Sequence, residues 1–151
     1  MKPQLKNYTH IIWDWNGTLL DDAWLCVDIM NTLLRKRNKP QITHTQYLEI
    51  FDFPVKKYYR RVGLDFSCEP FETLATEYIL EYDKRQLECT LRGHAKEVLQ
   101  FCHTCGITQS ILSACHQERL ESIVDNFAIR PFPARLVALR DSYESCKIAN
   151  G

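Results

Sequence analysis

Asp14 is the residue whose placement first points to chemistry. It closes the apolar run Ile11-Ile12-Trp13 and is followed by the turn-forming triplet Asn16-Gly17-Thr18. A short apolar run bounded by polar residues predicts a strand buried on both faces of a parallel sheet. Gly17 lets the chain take backbone angles that a side chain would forbid. Ligands of open α/β sheets collect at the carboxyl ends of strands, which is where this carboxylate stands. Ser113 closes a second apolar run, Ile111-Leu112, and Lys147 follows near the C-terminus. Taken singly, none of the three is informative. A strand followed by an Asx-type turn explains Asp14 equally well, and a lysine on a terminal helix is usually a solvated charge.

Other reactive types have blander readings. Cys102-His103-Thr104-Cys105 is the one Cys-x-x-Cys pair in the chain. A zinc or redox role would need a second ligand pair or a strand end. Ala95, Val98, Leu99, Cys102 and Cys105 follow helical spacing, which predicts both cysteines on a buried face. Cys115-His116 follows a predicted strand end, but nothing in the sequence pairs it with a base. Asp52–Arg61 carries Lys56, Lys57, Arg60 and Arg61 between aromatic residues. It offers either a surface for an anionic group or a solvated helix face with Tyr58 and Tyr59 turned inward.

The elements that must position these residues are those of a modest α/β protein. A chain of 151 residues can bury one core plus a small satellite. Its formal net charge of zero gives no electrostatic case for nucleic acid or an anionic membrane. No stretch is apolar and long enough to span a bilayer, and Met1-Lys2-Pro3-Gln4 lacks the apolar core of a signal peptide. Seven cysteines, an odd number without a framework spacing, fit a reducing compartment. The expectation is a cytoplasmic protein.

From Asp21 to about Glu88 the pattern is helical. Cys26, Ile29, Met30, Leu33 and Leu34 form one stripe, and Asn38-Lys39-Pro40 stops it. Thr43-His44-Thr45-Gln46 predicts a capping box opening a second helix. Pro54 opens a third, ended by Gly63, and Pro70 opens a fourth. Four short amphipathic helices make a small bundle. Beyond it, the helix Ala95–Cys105 ends at Gly106 and Ile107–Leu112 reads as a strand delivering Ser113. Leu120, Ile123, Val124 and Phe127 give the next helix its buried face. Arg135–Leu139 reads as a further strand, and Asp141-Ser142 can cap a helical turn carrying Lys147. Strands alternating with helices predict a right-handed parallel arrangement.

In order, these pieces resemble the haloacid dehalogenase-like hydrolase superfamily. Asp14-Trp15-Asn16-Gly17-Thr18-Leu19 is similar to its first motif, Asp-x-Asp-x-Thr after an apolar strand. Ile111-Leu112-Ser113 resembles the second, and Ser145-Cys146-Lys147-Ile148 the third. The resemblance is nearest to the phosphoglycolate-phosphatase-like branch, which carries a helical cap after the first motif. It implies a Rossmann-like parallel core over residues 1–20 and 89–151, interrupted by a four-helix cap over residues 21–88. It also implies that the C-terminal core strands are missing, because the similarity breaks off just after Lys147.

The resemblance further implies a phosphatase acting on a small phosphate monoester through an aspartyl phosphate on Asp14. In it Thr18, Ser113, the backbone N–H of Ala114 and Lys147 hold the phosphoryl group. Mg²⁺ is the implied cofactor, bound by the Asp14 carboxylate and the Asn16 backbone carbonyl, with no counterpart here for the family's third, acidic ligand. Asn16 departs from the family, which has its general acid/base Asp at that position. An inactive relative that binds a phosphorylated ligand or a protein partner is the alternative reading. With nothing left to pair the far side of Ile11-Ile12-Trp13, self-association through an exposed core edge is expected.

Overall fold

The computed structural model describes residues 8–138. The described residues fall into two compact units, one made of residues 8–21 with 90–138 and the other of Asp22–Cys89.

The first unit is built on a three-stranded parallel sheet in the order β1-β4-β5, where β1 is His10–Asp14, β4 is Thr108–Ser113 and β5 is Arg135–Ala138. The register sets Asp14 beside Leu112 and Ser113 beside Ala138. Two helices connect these strands, α5 (Ala95–Thr104) and α6 (Gln117–Asn126). Leu99 on α5 and Leu120, Ile123 and Val124 on α6 are buried with Ile111 of β4. Each such side chain contributes roughly 1.5–3 kcal/mol relative to an exposed one. Both crossovers run in one direction across the sheet, so right-handed connections put both helices on the same face.

This arrangement corrects the expectation that β1 is buried on both faces. Ile12 is 65% exposed, and Leu112 and Val137 on the neighbouring strands are exposed with it. Side chains alternate along a strand, so these three occupy the face opposite the helices. Among the described residues β1 pairs with β4 alone, which makes it an edge strand. A further departure is at Cys105, predicted on the buried face of α5. Cys102 is buried, but α5 ends at Thr104 and Cys105 lies exposed in the cap beyond it.

The same unit holds a short antiparallel ribbon that the sequence pattern does not show. β2 (Leu20–Asp21) pairs with β3 (Thr90–Leu91), joining the two places where the chain leaves and re-enters the unit. Arg92 N–H donates to the Leu19 carbonyl at 2.9 Å, and its guanidinium lies 3.7 Å from Asp21.

The second unit is the helical bundle α1 (Ala23–Lys36), α2 (His44–Ile50), α3 (Val55–Arg61) and α4 (Phe71–Arg85). The α1 stripe is real: Ile29, Met30, Leu33 and Leu34 are essentially inaccessible. Thr43 caps α2 as expected, with its hydroxyl accepting from Gln46 N–H and the Gln46 side chain accepting from Thr43 N–H. Arg37 joins α1 to Glu69 and to Glu77 of α4 at 2.7 and 2.8 Å. In the Asp52–Arg61 stretch, Tyr58 and Tyr59 are buried among aromatic rings, and Lys56 and Arg60 lie over the Phe66 ring. Asp22, at the start of α1, is buried and accepts a 2.6 Å hydrogen bond from the Tyr82 hydroxyl of α4. No helix among the described residues is long and apolar enough to cross a membrane.

Candidate active site

The site is assembled at the carboxyl ends of two adjacent parallel strands. β1 delivers Asp14 and turns at once. The Trp15 carbonyl accepts from the N–H groups of Thr18, Leu19 and Leu20 at 3.3, 3.0 and 3.0 Å, winding the chain tightly behind the carboxylate. That winding needs a left-handed residue, and Gly17 supplies it with φ of 72°. Trp15 is buried and its ring lies 6.3 Å from that of Phe127, which anchors the turn to the core while Asp14 faces solvent. The Thr18 hydroxyl donates to Asp14 Oδ2 at 3.2 Å and holds the carboxylate in place.

β4 delivers Ser113, whose side chain is buried. Its hydroxyl lies 3.5 Å from the Asn16 carboxamide oxygen and 3.2 Å from Cys115 Sγ. The Cys115 N–H in turn donates to Ser113 Oγ at 3.3 Å. Burial pushes the Cys115 thiol above its ordinary value, so it stays protonated at neutral pH. Ala114, between them, is exposed.

The structure therefore brings Asp14, Asn16, Thr18, Ser113 and Ala114 to one end of one sheet. Lys147 and the Asp141-Ser142 cap lie outside the described residues. Cys115 is the participant that spacing alone leaves unpaired. Its signal is the Ser-x-Cys interval, which a tight turn after a strand folds back on itself.

The donors expected from the sequence, the Asp14 carboxylate and the Asn16 backbone carbonyl, are both oxygens, which suits Mg²⁺ in kind. The set is sparse, however. Among the described residues no group of three or more His, Cys, Asp or Glu side chains could hold a metal ion. Chemically, the arrangement offers one exposed carboxylate held by the Thr18 hydroxyl, with the Ser113 hydroxyl at the end of the neighbouring strand.

The family model for haloacid dehalogenase-like hydrolases matches residues 11–145. No curated protein matches the chain. Among solved structures, it is similar to a predicted phosphoglycolate phosphatase from Haemophilus somnus 129pt, with 16% identity and a TM-score of 0.70, over 89% of this chain and 64% of that one. It is similar to protein tyrosine kinase A from Mycobacterium tuberculosis, with 20% identity and a TM-score of 0.75, over 89% and 61%. A haloacid dehalogenase-like family hydrolase from Streptococcus pneumoniae shares 14% identity and a TM-score of 0.72, over 94% and 68%. The chain thus spans between 61% and 68% of the length of these three structures.

Proposed function

The chain belongs to the haloacid dehalogenase-like hydrolase family, and from that premise we propose that it hydrolyses a small phosphate monoester through an aspartyl phosphate on Asp14. The observation that supports this reading is the convergence of Asp14, Asn16 and Ser113 at the carboxyl ends of paired strands β1 and β4.

In the proposed reaction an Asp14 carboxylate oxygen attacks phosphorus as the bond to the ester oxygen breaks, and the leaving group departs as its anion and takes its proton from solvent. Water then attacks the phosphorus of the aspartyl phosphate, releasing inorganic phosphate and restoring the carboxylate. Thr18 orients the nucleophile. Ser113 and the Ala114 N–H receive phosphoryl oxygens, and the ammonium of Lys147 offsets their charge. Mg²⁺, held by the Asp14 carboxylate and the Asn16 carbonyl, would supply the remaining positive charge at the phosphoryl group.

Asn16 tunes this scheme. A carboxamide can orient a leaving oxygen but has no titratable proton to give it. The reading is therefore a slow enzyme that favours acyl or aryl phosphates, whose leaving groups need no proton. Phosphoglycolate, suggested by the names of two structural neighbours, must expel glycolate through an alkoxide oxygen and is a demanding substrate on this scheme. Asn16 also supports a second reading, a relative that binds a phosphorylated ligand without turning it over.

The test is a screen of phosphate esters with and without Mg²⁺, on the chain and on Asp14→Asn. Turnover lost in the variant, with beryllium fluoride captured on Asp14 beside Ser113, is the expected result. Undiminished activity in Asp14→Asn, or a mimic bound elsewhere, rejects the assignment. Capture without turnover of any ester selects the binding-only reading.

A further inference from the structure

We infer that Cys115 is a positioning residue for the phosphoryl cradle, holding the Ser113 hydroxyl by a bond weak enough for an arriving phosphoryl oxygen to replace. The inference rests on the reading of this site as a phosphate site and adds to it a residue that the motifs do not include.

Ser113 Oγ is engaged from two sides. The Cys115 N–H donates to it at 3.3 Å, which fixes the oxygen over the turn. Its own hydrogen has two acceptors, Cys115 Sγ at 3.2 Å and the Asn16 carboxamide oxygen at 3.5 Å. The shorter contact is to sulfur, and sulfur is a weak acceptor. Burial keeps the thiol neutral, so its hold on the hydroxyl carries no charge assistance. A phosphoryl oxygen is a charged acceptor and outcompetes it. Without the sulfur, the hydroxyl turns to Asn16 Oδ1 and ties two site residues to each other. With a hydroxyl in place of the thiol, the resting bond is stronger and harder to replace.

The readouts do not require turnover. Inorganic phosphate and vanadate would be titrated against the protein and against Cys115→Ser and Cys115→Ala, alongside thermal unfolding. Both variants are expected to bind the anions roughly three- to tenfold more weakly, the scale of one modest hydrogen bond, with unfolding midpoints unchanged. Saturating vanadate is expected to slow alkylation of Cys115 while leaving the exposed Cys68 and Cys105 as internal references.

Anion binding that is equal in all three proteins, or alkylation of Cys115 indifferent to bound vanadate, overturns the role of Cys115 and leaves the phosphate site standing. A parent protein that binds neither anion overturns the phosphate reading, and this inference with it. A variant that loses its unfolding midpoint together with its affinity shows a structural role and also overturns the proposal.

Discussion

The Asn16 carboxamide oxygen lies 3.5 Å from the Ser113 hydroxyl, across 97 positions of sequence. The residue proposed to stand in the place of the family's general acid/base thus meets the residue that closes β4. Neither is remarkable alone, and their meeting at the end of a parallel sheet is what makes a site. Because Asn16 is the departure from the family pattern, it is also the most informative residue to change.

Replacing Asn16 with Asp restores a carboxyl group beside the leaving oxygen. General acid/base catalysis contributes roughly 10²–10⁴-fold. Asn16→Asp is therefore expected to accelerate hydrolysis of alkyl phosphates by an amount within that range, and of aryl phosphates far less. Steady-state rates on matched alkyl and aryl esters measure the difference. Equal gains on both, or no gain, would mean that proton transfer to the leaving group is not what the carboxamide withholds.

Mg²⁺ binding should be weak and should depend on Asp14. The proposed ligands among the described residues are one carboxylate and one carbonyl, and Mg²⁺ keeps several waters where protein ligands are few. Calorimetric titration is expected to give a low affinity for the parent chain and no measurable heat for Asp14→Asn. Tight binding, or binding indifferent to Asp14, would place the ion elsewhere.

The bundle should unfold in alkali. Burial, then the negative charge of Asp22 and its hydrogen bond, raise the Tyr82 phenol well above its ordinary 10.0, and burial does the same for Tyr47, Tyr58 and Tyr78. Burial likewise pushes the Cys26 thiol from 9.0 to about 11. A group whose folded pKa is raised stabilises the fold fully below its unfolded value and loses that contribution as pH climbs toward the folded one. The thiol contribution is thus intact below pH 9.0 and fades toward about 11, while the phenols begin to lose theirs above 10.0. Tyrosinate absorbance should appear together with loss of helical circular dichroism. Phenols titrating near 10.0 with the helices intact would contradict the burial described here.

The chain is expected to self-associate through β1. Among the described residues β1 is an edge strand, and Ile12 on its open face is 65% exposed, so both an edge and an apolar face are offered to another strand. A lysine on an edge strand opposes pairing, and because Ile12 is exposed rather than in the core, Ile12→Lys should leave the fold intact. Sedimentation velocity should show the parent associating with concentration and the variant remaining monomeric. A parent chain that stays monomeric would end this proposal.

Much of this was legible in the sequence because its causes are local. The apolar run before Asp14 and the flexibility of Gly17 specify a strand and a tight turn whatever surrounds them. The Thr43–Gln46 capping box and the α1 stripe follow from helix geometry, so both appear where expected. The order of Asp14, a helical insert and Ser113 pointed to the family, while Lys147 lies beyond the residues that the family model matches. Tertiary structure alone decided the rest. Whether Ile12 is buried depends on what covers the sheet, and among the described residues the face it shares with Leu112 and Val137 is left exposed. Cys105 keeps helical spacing but lies beyond the end of α5, so periodicity could not say where it points. β2 and β3 are two residues each, too short for any alternation to show, and they exist only because the chain leaves and returns at the same place. The approach of Asn16 and Cys115 to Ser113 is of the same kind: pattern places a residue on an element, but strand register and the turn decide which residues touch.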